Sequence, residues 1–328
     1  MKISVLMTTY NGQAYLLEQI RSINNQTRQP DEVIICDDCS TDNTTKIIKD
    51  FIKQNSLTNW QLIVNEENKG WMRNFVEGLN YVTGDVVFFS DQDDIWYPDK
   101  IAAMSKIMQV NPGVQCLAGG VNKIDGRGEA FGEQENIVSI IDSVGKEKRS
   151  EKPQKFNVLC FLGCTVCISE KLAKVIREMA VTNFPHDQQT WRLAALLGEM
   201  YILKYAVIKR RMHGENTSGV VVGLKEGASN LEKRKQMIKD NLQWLDSLMK
   251  YSKEHNLLSA NEEEIVRNTI MMQEARYSFL ERKNPVQYLG LLKYMKYYSG
   301  FGMYLGDFVY AHNINAKVAR IIAKVKRY

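Results

Sequence analysis

Residues 85–100 read DVVFFSDQDDIWYPDK. Val86, Val87, Phe88 and Phe89 form a short β-branched and aromatic run of the kind found in strands buried on both faces. The run stops at Ser90, and Asp91, Asp93 and Asp94 follow at once, ahead of Ile95 and Trp96. Carboxylates grouped at the end of a buried strand are either solvated loop residues and helix caps or the lining of a site. Asp94 and Asp99 suit the first reading; the sequence on either side weighs on the rest.

Upstream, strands alternate with single helices. ISVLMTTY (3–10) is an apolar, β-rich run, and QAYLLEQIRSINNQ (13–26) has Tyr15, Leu16, Ile20 and Ile23 at helical spacing. EVIICDD (32–38) reads as a strand, TDNTTKIIKDFIKQ (41–54) as a helix capped by Thr41 or Asp42, QLIVNE (61–66) as a strand and WMRNFVEGLNYV (71–82) as a helix. Such alternation predicts a parallel sheet covered on both faces, hence an α/β, doubly wound amino-terminal half. Ligands in these sheets lie beyond the carboxyl ends of the strands. Thr8, Thr9, Tyr10, Asp37, Asp38, Asp91 and Asp93 therefore share one edge. The first loop, TTYNG, has neither a G-x-G-x-x-G nor a Walker pattern, which removes support for dinucleotide binding, for P-loop chemistry and for a nucleotidyltransferase with a glycine-rich first loop. Acids one residue apart suit a divalent cation, Mg2+ or Mn2+, that also holds a diphosphate, because facing the phosphates directly they would repel them.

Four stretches, ISVLMTTYNGQAYLLEQIRSINNQT, EVIICDDCSTDNT, NKGWMRNF and SDQDDIWYPDKI, occur in this order. Together they resemble family 2 glycosyltransferases of the GT-A fold, especially the rhamnosyltransferase-like members that build bacterial surface polysaccharides. The resemblance covers residues 1 to about 220. It implies that Thr8, Tyr10 and Asn11 border the base and ribose of a sugar nucleotide and that Asp38 accepts a hydrogen bond from a pyrimidine imide. It also implies that Asp91 and Asp93 form the D-x-D pair, with Asp93 the direct metal ligand and Asp91 nearer the ribose or the metal's waters. Arg211 and His213 match an Arg-x-His pattern, with His213 on the metal or a phosphate oxygen. Arg73, Trp96, Arg211 and His186 are further candidates for contacts with diphosphate or acceptor. Two departures stand out: Thr8 replaces a proline common among relatives, and Gln188 and Gln189 replace aromatics.

Inverting sugar transfer needs a base opposite the leaving diphosphate, and Asp187, ahead of a helical pattern, is the candidate. On the residues alone it is equally a helix cap. His186 reads as an orienting or packing residue. FLGCTVCISEKLAKVI (161–176) predicts a strand then a helix capped by Ser169, while the polar run 126–154, with GKEKRSEKP, predicts a mobile surface loop. The pairs Cys36/Cys39 and Cys164/Cys167 read as small apolar filling rather than zinc ligands.

The chain has 328 residues, 44% hydrophobic and 25% charged, an ordinary globular balance. It shows no leader and no apolar stretch of about 18 residues, so a cytoplasmic protein is expected. Its net charge of +5 belongs to the tail: from Ser229 onward there are 17 Lys and Arg against 10 acids. That tail predicts amphipathic helices, and its last stretch, tyrosine-rich and basic, suits an anionic membrane surface at the inner face of the plasma membrane. No nucleic-acid motif accompanies it. The expected division is a GT-A domain over 1–222 and a helical, basic region over 223–328. The implied reaction moves a sugar, L-rhamnose from dTDP-rhamnose, to a hydroxyl of a glycan held on a polyprenyl-diphosphate carrier. The alternatives are a UDP-sugar donor or a catalytically silent scaffold used for binding. Oligomeric state stays open.

Overall fold

The structure, a computed structural model, describes residues 1–145, 147–149, 161–214, 229–298, 300–312 and 314. Those up to Arg149 together with 161–213 form one compact unit, and those from Gly214 onward belong to a second. The expected boundary at 222 lies outside the described residues.

The first unit is a nine-stranded mixed sheet flanked by helices, as the resemblance implies. β1 (Ile3–Thr9), β2 (Glu32–Asp37), β3 (Trp60–Val64) and β4 (Val86–Ser90) run parallel. All of β1 and β4 is buried, because α1 (Leu16–Asn24), α2 (Thr44–Gln54) and α3 (Trp71–Gly78) take up the two faces. α1 turns Leu16, Ile20 and Ile23 inward, the face its spacing predicts, and each such side chain contributes roughly 1.5–3 kcal/mol by burial.

Beyond β4 the sheet departs from the parallel expectation. After β5 (Ile95–Trp96), α4 (Lys100–Val110) and β6 (Cys116–Ile124) comes β8 (Val166–Ser169), which lies antiparallel between β4 and β6. β9 (Met200–Arg211) pairs with β6 and also receives β5 and β7 (Glu147–Arg149) antiparallel. The run expected to be a mobile loop therefore holds structure as far as Arg149: α5 (Ile140–Ser143), the strand β7 and a buried Val138. Residues 150–160 lie outside the described set. α6 (Glu170–Met179) begins at Ser169, whose hydroxyl accepts from the Leu172 N–H as predicted, and α7 (His186–Leu197) follows.

The second unit consists of α8 (Ser229–His255), α9 (Ala260–Arg282), α10 (Pro285–Gly290), a 3-10 segment (Leu291–Tyr297) and α11 (Phe301–Ala311). Its core takes Leu291, Tyr294, Tyr297, Tyr298 and Tyr304, so residues 288–312, expected at a membrane surface, complete a protein core with their aromatic side. At its centre Asp307 accepts from Arg276 (2.7 and 2.9 Å), Arg234 (2.7 Å) and the Tyr298 hydroxyl (3.0 Å). Burial opposes its charge, but the two guanidiniums overcome that and hold the carboxyl below its usual range. No described helix is long and apolar enough to cross a membrane.

Candidate active site

Strand register brings the candidate residues to one edge. Thr8 and Thr9 lie level with Cys36 and Asp37, and Met7 lies level with Ser90, so the loops after β1, β2 and β4 open together. Asp37 is fully buried and ties this edge, accepting from Thr9 Oγ1 (2.7 Å), Ser40 Oγ (2.6 Å) and the Ser40 N–H (2.9 Å). Asp38 accepts from Asn65 Nδ2 (2.9 Å) and from the Lys69 and Gly70 N–H groups (2.9 and 2.8 Å), fixing the loop after β3. Those three bonds occupy most of a carboxylate's acceptor capacity. Asn11 takes a left-handed φ of 47°, and its side-chain oxygen accepts from the Thr41 N–H (2.8 Å). The Tyr10 ring is exposed, while its backbone exchanges two hydrogen bonds with the Gln92 amide (2.8 and 3.0 Å). A Cβ on Gly12 would lie 2.3 Å from Gln92 Oε1, so a side chain there would displace the Gln92 amide from its bonds to Tyr10.

Within the acid loop, ligand atoms of Asp91, Asp94 and Cys164 lie within 4.8 Å of one another. Burial first, then the neighbouring carboxyls, pushes both Asp91 and Asp94 above the usual carboxylate range. The Cys164 thiol, pushed far up by burial, stays protonated and hydrogen-bonds both acids. Asp93 contacts His213 instead, with Nε2 and Oδ2 2.8 Å apart. Crowded carboxyls that ionise reluctantly, beside an imidazole, suit a hard divalent cation bound through oxygen and nitrogen. Asp94 is thus buried at the site rather than a solvated loop residue or cap. Cys164 is more than filling, since it faces the acids.

Lys100 lies beneath the loop. Fully buried, it donates to the Cys164 carbonyl (2.6 Å), sits 3.6 Å above the centre of the Trp96 ring, and is pushed down to about 7 by burial. Trp96 itself is buried against Phe88 and is not placed to meet an acceptor. Arg211, 1% exposed, is likewise an internal clamp. Its N–H donates to Asp94 Oδ1 (3.0 Å), its Nε to the Asp93 carbonyl (3.1 Å) and its Nη2 to Glu18 (2.8 Å). Arg73 is half exposed and paired with Glu77 (2.5 Å).

Asp187 stands on the first turn of α7. Burial pushes it up to about 6, against hydrogen bonds from the Gln188 and Gly163 N–H groups, and its charge is felt at Asp91. The 3-10 turn Gly163–Thr165 therefore links the two acid groups, Gly163 on Asp187 and Cys164 on Asp91 and Asp94. His186 is stacked on Phe75 (3.8 Å between centroids), with Phe89 and Trp71 beside it. Neither of its ring nitrogens has a hydrogen-bond partner among the described residues, and burial lowers it to about 3. It is a neutral packing residue. Gln92, Cys164 and Lys100 carry no sequence signal that separates them from ordinary loop and core residues; Asp94 had one, its place in a run of acids.

The mixed α/β sheet, with carboxylates at its strand ends in place of a glycine cradle, has the arrangement of the GT-A class of folds. The chain belongs to glycosyl transferase family 2, whose sequence profile matches residues 4–176. An uncharacterized glycosyltransferase of Nostoc sp. is 28% identical over 233 residues, 66% of each chain. The dTDP-rhamnosyl transferase RfbG of Shigella flexneri is 40% identical over 99 residues, 29% of this chain and 34% of that one. The match thus spans less than two thirds of these relatives' own length. The crystal structure of S. aureus TarS 1-349 in complex with UDP-GlcNAc matches 95% of this chain and 81% of its own, with TM-score 0.56 and 16% identity, a likeness of fold.

Proposed function

We propose that the chain transfers a sugar from a nucleoside diphosphate donor to an acceptor hydroxyl with inversion, in a single displacement. The observation that carries this is the short turn that holds Asp187, a carboxyl pushed up to about 6, and the crowded acid loop, Asp91 to Asp94, against each other. Asp187 accepts the acceptor proton at its carboxylate as the hydroxyl attacks the anomeric carbon. Thr8, Tyr10 and Asn11 border the nucleoside, Asp38 shapes its pocket through the loop it holds, and Arg73 reaches the diphosphate. Asp91, Asp93 and Asp94, with His213, would hold Mg2+ or Mn2+. Bound there, the cation offsets negative charge growing on the departing diphosphate.

For the donor we favour dTDP-rhamnose, which the rhamnosyl relative's name supports. The TarS complex supports a UDP-sugar as the competing choice. The acceptor is a surface glycan on a polyprenyl diphosphate, reached from the cytoplasmic side by a peripherally bound enzyme. A thermal-shift panel of dTDP-rhamnose, UDP-glucose and UDP-GlcNAc, each with and without Mn2+, tests the donor. A ligand at a hundredfold excess over its Kd adds about 2.7 kcal/mol. The matched donor should raise Tm only with metal present, and slow donor hydrolysis should follow it. A panel with no shift and no hydrolysis sinks the transferase reading in favour of a silent scaffold.

A further inference from the structure

The second unit carries an apolar surface that its core does not use. Along α10 and the segment after it, Val286, Leu289 and Leu292 are exposed; on α11 so are Phe301 and Leu305, all between 45 and 76%. The two helices are laced side by side. Tyr288 stacks on Tyr304 at 4.4 Å, and the hydroxyl of each donates to the other's carbonyl. On α11 the buried positions Tyr304 and Ala311 occupy one side, leaving Phe301 and Leu305, four residues apart, on another. Aliphatic residues of this size at such exposure are anomalous when they gather on adjacent short helices.

Charge selects the occupant. Arg282, Lys283, Lys293 and Lys296 are exposed along the same stretch, and between Arg282 and His312 the sole acid is Asp307, buried in the core. Exposed leucine and valine beside lysine, with no exposed carboxylate on their own stretch and Glu264 of α9 acting on Lys296, match the boundary of an anionic lipid leaflet, where acyl chains take the aliphatic groups and headgroup phosphates take the ammoniums. We propose that Val286, Leu289, Leu292, Phe301 and Leu305, together with these four basic residues of the same stretch, form a membrane-docking face for anionic phospholipid. The tyrosines between them serve the core. This deepens the lipid-carried acceptor reading and rests on it for its purpose, but its test is separate from donor chemistry.

The full chain is floated with vesicles of phosphatidylcholine alone or with about 30% phosphatidylglycerol, whose negative surface attracts basic segments. Two variants accompany it: Val286→Ser/Leu289→Ser/Leu292→Ser and Lys293→Gln/Lys296→Gln. Because every altered side chain is exposed, circular dichroism and donor hydrolysis should match wild type in both. Wild type should float with the anionic vesicles only, the triple variant at least tenfold less, and the lysine variant about thirtyfold less, from about 1 kcal/mol per lysine and tenfold per 1.4 kcal/mol. The proposal is overturned by a wild type that ignores anionic vesicles or a triple variant that floats unchanged. It is equally overturned by a wild-type dimer that the triple variant dissociates, which would show a second copy on this face. Loss of donor hydrolysis with flotation intact would instead defeat the transferase reading and leave this one standing.

Discussion

At Asp187 the site's chemistry and the protein's stability pull in opposite directions. As the proposed base, Asp187 must be ionised to accept a proton, and burial pushes this carboxyl up to about 6, so turnover should rise with pH through about 6 and level off above it. Asp187→Asn should retain metal-dependent donor binding while transfer falls by about 10² to 10⁴, the range general bases supply; parallel calorimetric titration and rate measurement check this. Stability runs the other way. A carboxyl whose folded pKa lies above its unfolded value contributes stability that is full below the unfolded value and is lost as pH rises through the folded one. Asp187→Asn should therefore melt higher than wild type at pH 8, by an amount on the order of 2–3 kcal/mol, and show no gain at pH 4. Asp93→Asn is the contrast: it should fold normally, lose the metal dependence of donor binding, and retain the pH 6 inflection in any residual rate. Asp91, Asp93 and Asp187 were legible as candidates because acids at strand and helix ends are visible in the sequence. The internal roles of Arg211 and Trp96 were not, since a sequence shows that a residue is cationic or aromatic but not which way it faces. Both point into the unit.

Among the elements, the 3-10 turn Gly163–Thr165 sets the geometry of the site. A Cβ on Gly163 would meet His186 Nε2 at 2.4 Å and the Asp187 Cβ at 3.6 Å, so the turn and α7 approach as closely as they do because this residue has no side chain. Gly163→Ala should cost about 1–3 kcal/mol as α7 is pushed back, and should lower kcat more than it raises the donor's KM; a denaturant midpoint and a kinetic split measure the two effects. The parallel half of the sheet was legible from apolar runs separated by helical spacing, because β1 and β4 are buried on both faces and their sequences show it. β7, by contrast, is Glu147–Arg149, a strand with no apolar residue. It exists through pairing with β9, which local sequence does not report.

For the whole molecule, the two units differ in how far sequence foretold them. The tail's helices were expected, yet its tyrosines were assigned to a surface, because an aromatic beside lysine reads alike in a lipid interface and in a small helical core. Asp307 settles which it is: a buried anion between Arg276 and Arg234 needs the chain past residue 300 in place. Truncation at Tyr288 should therefore unfold the second unit, by leaving two guanidiniums without their carboxylate, an effect on the order of 3–5 kcal/mol. Limited proteolysis of the truncated chain should show cleavage within α8 and α9. The contacts of β9 add a dimension of time. Arg211 and His213 close on Asp94 and Asp93 across 117 to 120 residues of sequence. At translation rates of about 5–20 residues per second, the acid loop waits some 6 to 24 s on the ribosome for its partners. A nascent chain thus completes four parallel strands well before the proposed cation site can close, and that site is among the last parts of its first unit to be born.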